Sequence, residues 1–331
     1  MAAKQPSKWQ QSITGEWHGM PSVFDAEGRH VGFDKVARES RFEDGRTTYY
    51  MTTQFDTTGP LRGRFESETF AFGVQDSDRD RLYLGPDFIG AGHPYGALVD
   101  SHYYSPAWTS DLRTMNQILP DGETQVYSSL LFDGPAVCGV FNGIYKVVQD
   151  YAENPETRAR IAEFLEGERR DGKKPHILPV KHAGEWRGEL EVYDPDQQLL
   201  GVSEVRMRYR PLSLLRAEME VTLSGIIERE FRFERQRNGF RHNFDGPDLY
   251  GNGMSYGRAL FTSQHLHGEA LKIRGREFLI DSNYTLCVAW QWFASDKPRW
   301  TSFGLLHWQP GEEVLKPLHG SRAGSEALGQ P

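Results

Sequence analysis

Gly15-Glu16-Trp17-His18-Gly19 opens the first ordered stretch of the chain, and Gly184-Glu185-Trp186-Arg187-Gly188 restarts it 169 residues later. A second pair of anchors follows in the same order. Gly85-Pro86-Asp87-Phe88-Ile89-Gly90-Ala91-Gly92 answers to Gly246-Pro247-Asp248-Leu249-Tyr250-Gly251-Asn252-Gly253, an offset of 161. Each copy runs on to a tyrosine-glycine pair, Tyr95-Gly96 and Tyr256-Gly257. Two ordered anchors with nearly equal offsets mark an internal duplication, and a duplication bears on the whole architecture before any single element is assigned.

Between the anchors the pattern is that of strands. Thr47-Thr48-Tyr49-Tyr50-Met51-Thr52-Thr53-Gln54-Phe55 is rich in threonine and aromatics, while residues 204–209 and 217–223 alternate polar with apolar side chains. Such alternation fits an antiparallel sheet with one wet face. The 34 glycines and 18 prolines supply turns at short intervals, and meanders of this kind protect their edges by closing into barrels. One stretch breaks the rhythm. Ile161, Ala162, Phe164 and Leu165 fall on one face at helical spacing, after Asn154 as a cap and Pro155 in the first turn, and before a stop at Asp171-Gly172. The expected fold is therefore mostly β, with two tandem antiparallel barrels related by the repeat and joined by a helical linker. The expected division is 1–150 for the first barrel, 151–180 for the linker, 181–318 for the second barrel and 319–331 for a disordered tail. A chain of 331 residues suits two such domains.

Composition narrows the function classes. With 38% hydrophobic and 25% charged residues the chain is ordinary globular material. A net charge of −8 makes nucleic acid a poor partner. The two cysteines, Cys138 and Cys287, are too few for a disulfide framework and read as reduced thiols. The opening MAAKQPSKWQQ has no apolar run, so no signal peptide is expected, and no stretch approaches the about 18 apolar residues of a membrane helix. A cytoplasmic location with no membrane partner follows as the expectation. Oligomeric state is left open.

The run from Trp9 to Gly19, Trp9-Gln10-Gln11-Ser12-Ile13-Thr14-Gly15-Glu16-Trp17-His18-Gly19, resembles the start of an uncharacterised, largely cyanobacterial family of double lipocalin-like proteins. In the wider calycin superfamily a Gly-X-Trp on the first strand lays its indole across the barrel floor, and Trp17 and Trp186 match that pattern in both halves. The resemblance implies lipocalin-like barrels with room for a ligand. It implies no particular reaction, because one fold hosts many functions.

The candidate chemistry sits in and after the Gly-Pro-Asp segments. Asp87 and Asp248 fit structural turns, or equally a ligand at a barrel mouth. His93, Tyr95, Asp100 and His102 cluster in the first half, and Tyr256, His265 and His267 in the second. Desolvated in a barrel, such groups move protons at neutral pH; as ordinary strand and loop residues they do nothing. His265 and His267 share a strand face, but no third ligand can be assigned, so no metal is expected. Trp290 and Trp292 also share a face, either flooring a pocket for a flat ligand or filling a core. No dinucleotide fingerprint, nucleophile elbow or paired-cysteine motif is present, and no cofactor is expected. The leading expectation is a double barrel that binds a small hydrophobic or aromatic molecule, with cofactor-independent isomerase, cyclase, hydratase or lyase chemistry by His265, His267, Tyr256, His93 and His102. Trp290, Trp292, Tyr95, Asp87 and Asp248 would contact the ligand. The alternatives are a non-catalytic carrier and a protein-interaction module with filled barrels. Its denser aromatics put the second barrel ahead as the active one.

Overall fold

The computed structural model describes residues 5–106 and 110–314; the tail expected over 319–331 lies outside the described residues. The first half runs β1 (Gly15–Gly19), β2 (Ser22–Asp25), β3 (His30–Glu43), β4 (Arg46–Thr57), β5 (Glu68–Asp76), β6 (Arg81–Leu84), β7 (Ile89–Tyr95), β8 (Leu98–Ser105), β9 (Ser110–Ile118), β10 (Thr124–Asp133) and β11 (Ala136–Val148). The second runs β12 (His182–Tyr193), β13 (Leu199–Pro211), β14 (Arg216–Gly225), β15 (Arg229–Asn238), β16 (Arg241–Asp245), β17 (Leu249–Tyr256), β18 (Ala259–Leu266), β19 (Leu271–Leu279), β20 (Leu286–Ala294) and β21 (Lys297–Val314). Strands β1 and β2 act as one strand interrupted at Met20-Pro21, where proline has no N–H for the ladder. Both pieces pair with β3 on one side and β11 on the other. With that strand counted once, the chain forms two closed, antiparallel, ten-stranded barrels in tandem.

Register makes the duplication explicit. Trp17 lies opposite Arg38 on β3, and Trp186 lies opposite Met207 on β13. Further along, Gly92 pairs with Ser101 and His102 with Arg113; in the second barrel Gly253 pairs with Thr262 and Ser263 with Arg274. The first pair of strands is displaced by 169 residues, and these later partners by 161, the offset of the Gly-Pro-Asp segments.

The first barrel is plugged at one end. Helix α1 (Lys8–Ser12) sits under it, burying Trp9 and Ile13 among Tyr49, Phe72 and Val99. There the buried Arg81 pairs with Asp76 and donates to the Tyr49 hydroxyl at 3.1 Å. Helix α2 (Pro155–Asp171) begins where its cap predicts, with the Asn154 side chain accepting from the Glu156 N–H at 2.9 Å. It packs on the outside of the first barrel, where Ile161 and Leu165 meet Val148. Ala162 departs from expectation and is exposed, because the buried stripe runs Thr157, Ile161, Leu165, Glu168. Among the described residues no helix is long and apolar enough to cross a membrane.

The barrels meet along their outer faces. Phe24, Val126 and Val140 pack with Phe261, Phe278 and Cys287, while Asn142 Nδ2 donates to the Tyr256 carbonyl at 3.0 Å and Gln291 Nε2 to Asp100 at 2.7 Å.

Candidate functional site

The first barrel encloses a cavity of about 190 Å³. Its walls are the inward residues of β3, β4, β5, β8, β9, β10 and β11 with Phe65, Asp87 and Phe88 from the connections, and nearly half of them are aromatic. Tyr49 stacks on Phe72 with ring centres 5.1 Å apart, Phe88 meets Phe72 edge-on at 5.2 Å, and Phe55 leans on Phe65 at 5.1 Å. At the closed end lies Trp17, fully buried, its indole N–H donating to the Ile13 carbonyl at 3.0 Å.

Into this apolar cage the strands turn a few polar groups. On β3, Asp34, Val36 and Arg38 alternate inward. Burial pushes the Asp34 carboxyl up to about 7, against a smaller opposing pull from the Gln54 backbone N–H. The Arg38 guanidinium lies 5.9 Å from the Trp17 ring centre, 5.9 Å from that of Tyr49 and 5.7 Å from that of Tyr145. It donates to Gln125 Oε1 at 2.7 Å. Four buried polar atoms of this wall have no hydrogen-bond partner among the described residues: Asp34 Oδ1, Arg38 Nε, Thr114 Oγ1 and Asn116 Oδ1. Buried polar groups are ordinarily satisfied, so four orphans around one cavity set it apart from a merely imperfect core. Burial pushes Tyr127 up to about 12 despite its bond to Ser129, with the Asp34 charge adding to the rise. Tyr145 is likewise driven well above its ordinary value by burial. At neutral pH the cavity therefore holds neutral phenols and a carboxyl balanced between its two protonation states.

The repeat shows why only one barrel is built this way. Opposite its tryptophan the second barrel has Met207 in place of Arg38, and four residues earlier Ser203 in place of Asp34. Leu286 occupies the position of Gln125, pairing with Leu279 as Gln125 pairs with Ile118. Ser203 is itself satisfied, its hydroxyl accepting from the Ile227 N–H at 2.8 Å. Met207 and Leu286 join a continuous apolar fill that includes Trp186, Trp290 and Trp292.

The placement of the expected residues follows. The aromatics on which the preference for the second barrel rests fill its interior, and the cavity described here lies in the first. Trp290 and Trp292 do share an inward face, edge-on at 6.4 Å, but as core, with Trp292 Nε1 donating to Ser302 at 3.1 Å. His265 and His267 flank the inward Leu266 and so stand on the outer surface, both stacked on the exposed Tyr250 ring at 5.1 and 5.4 Å. Tyr256 is buried between the barrels with Phe24 and Phe261, away from the cavity. Tyr95 also belongs to the contact between barrels, edge-on to Tyr193 at 6.0 Å. His93, Asp100 and His102 line a cleft between the two barrels. Asp248, just before β17, accepts from the Arg232 N–H on β15 at 2.8 Å. Asp87 alone of the expected set lies among the residues lining the first cavity. Asp34, Arg38, Thr114 and Asn116 escaped the sequence reading. The signal that finds them is polar residues at the inward parity of a strand, judged against the apolar repeat mate.

No family model matches the sequence, nor does any curated protein. Among solved structures, the chain is similar to a crystal structure of a protein of unknown function from the DUF3598 family of the cyanobacterium Nostoc punctiforme. The TM-score is 0.56 at 15% identity, covering 93% of this chain and 100% of that one. At that identity the likeness speaks for the shared double-barrel fold alone.

Proposed function

We propose that the chain is a lipocalin-like binder of a small, largely apolar or aromatic molecule held in the first barrel, with Asp34 exchanging a proton with it. The observation that carries this reading is the set of four orphaned polar atoms in an aromatic cage. The cage removes apolar surface of a ligand from water, and the orphans offer polar contacts that the protein does not make with itself. Arg38, at the tryptophan end, meets an electronegative end of the molecule, and Asp34 faces its middle. A carboxyl poised near neutrality takes up and returns protons with equal ease, the property of a general acid–base. Proton relocation of this kind needs no cofactor, as in an isomerisation. The second barrel is then a scaffold. Two unpaired thiols, with Cys287 buried and its thiol pushed up by burial, fit a reducing compartment, and we take the cytoplasm as the site of action.

Fluorescence titration with 1-aminoanthracene tests the reading. Saturable binding that falls roughly tenfold or more when Leu112→Trp fills the cavity supports it. Equal binding by wild type and Leu112→Trp, with both folded by circular dichroism, rejects it.

A further inference from the structure

A second cavity, of about 650 Å³, lies between the barrels. It shares no lining residue with the first. Strand β9 is the partition: Leu112, Thr114 and Asn116 face the first cavity, and Asp111, Arg113 and Met115 face the cleft.

The cleft is built from equivalent positions of the two repeats. Displaced by 161, Arg113 becomes Arg274, Ser101 becomes Thr262, His102 becomes Ser263, and Met115 becomes Arg276, and all of these line it. A local twofold relation between the barrels therefore brings the same strand surfaces face to face. Arg113 lies over Phe132 at 4.9 Å, and its repeat mate Arg274 lies over Phe293, the mate of Phe132, at 5.1 Å. Stacking on a phenyl face occupies the flat of a guanidinium and leaves its N–H edge available. Neither guanidinium has an ion pair or hydrogen bond among the described residues. Arg276, over Phe261 at 5.5 Å, donates to the Ser128 carbonyl at 2.8 Å and stands near enough to Arg113 for the two charges to repel.

The opposing charges are fewer. Asp100 accepts from Gln291, Asp111 lies two residues before Arg113, and His93 reaches Asp80 at 3.4 Å. Three guanidiniums against two carboxylates leave the cleft cationic on a chain whose net charge is −8. Met115, Leu130, Met254 and Phe132 supply apolar wall beside them.

We propose that this cleft binds a small organic carboxylate with an apolar body, its carboxylate held between the N–H edges of Arg113 and Arg274. Planar forked donors match a carboxylate, and the methionines and phenyl rings accept the rest. This site is independent of the first cavity, so either reading stands if the other fails.

The test is calorimetric titration with 1-naphthoate, beside the neutral 1-naphthalenemethanol. Saturable binding is expected for the anion, weakened roughly tenfold or more by Arg113→Gln with Arg274→Gln and in the neutral analogue. Leu112→Trp is expected to leave it within about twofold, because that side chain lies on the other side of β9. Both arginines are exposed, and unchanged melting of the double variant confirms that the fold persists. Absence of saturable binding to wild type, or affinity unchanged in the double variant, overturns the proposal. Displacement of naphthoate by inorganic phosphate at lower concentration than by acetate overturns the assignment to a carboxylate.

Discussion

Arg38 stands opposite Trp17 on the neighbouring strand, its guanidinium 5.9 Å from the indole centre and no carboxylate of the described residues within ion-pairing distance. A cation placed this way costs stability in favour of something else, because its solvation is replaced by rings and one amide. The second barrel shows the apolar solution to the same position, Met207 with Leu286. Arg38→Met combined with Gln125→Leu should therefore raise the unfolding free energy by about 1–3 kcal/mol. Arg38→Met alone should gain less, since it strands the Gln125 amide. Urea unfolding of the two variants decides this; a double variant less stable than wild type would show that the guanidinium holds the fold.

The raised carboxyl of Asp34 gives stability a pH signature. In the unfolded chain it ionises near its ordinary 3.8, whereas in the folded barrel it keeps its proton to about 7. Its contribution is therefore fully present below about pH 4 and is lost as pH rises toward 7, of order 1 kcal/mol per pH unit. Two buried imidazoles act in the opposite sense. Burial and the nearby Arg235 hold His176 down to about 3 and His242 to about 2, so their effect is a loss of stability as pH falls below about 6.5. Subtracting the melting profile of Asp34→Asn from that of wild type isolates the carboxyl. The difference should slope downward from pH 4 to 7, and a flat difference refutes the assignment.

Trp292 is fully buried in the second barrel and edge-on to both Trp290 and Trp300. Trp292→Ala should cost about 3–5 kcal/mol by the cavity it leaves. Titration of the still-folded variant with 1-aminoanthracene should match wild type. A selective loss of binding with little loss of stability would return the ligand to the second barrel.

Glu168 on α2 forms a buried ion pair with Arg258 and accepts the Ile144 N–H at 3.3 Å, tying the linker to both barrels. Glu168→Ala strands the arginine and should cost about 3–5 kcal/mol. Glu168→Leu with Arg258→Met should recover much of that loss. Thermal unfolding separates the outcomes; equal loss in single and double variants would mean that the pair is not a unit.

How much of this was legible depends on the kind of signal. The anchors around Trp17, Trp186, Asp87 and Asp248 carried the duplication because glycines and tryptophans at fixed spacing are rare by chance, and α2 announced itself through its cap. Parity was the weak point. In Asp34-Lys35-Val36-Ala37-Arg38 only Val36 hints at which face points inward, so two inward-facing charged residues read as the wet side of a strand. The repeat comparison that exposes them was masked by the change of offset from 169 to 161 between the anchors. Aromatic density misled for a different reason: large rings can fill a barrel as readily as line one, and the sum of their volumes, not their number, decides which.

A dimer of identical barrels would be obliged to show the same residue on both sides of its axis. Fusion into one chain through α2 lifts that obligation. Met115 now faces a cleft where its mate is Arg276, and Leu130 one where its mate is Gln291. A molecule entering there meets unlike halves, so it has one seat per chain and one way round in it, a sense of direction that a symmetric pair could not confer.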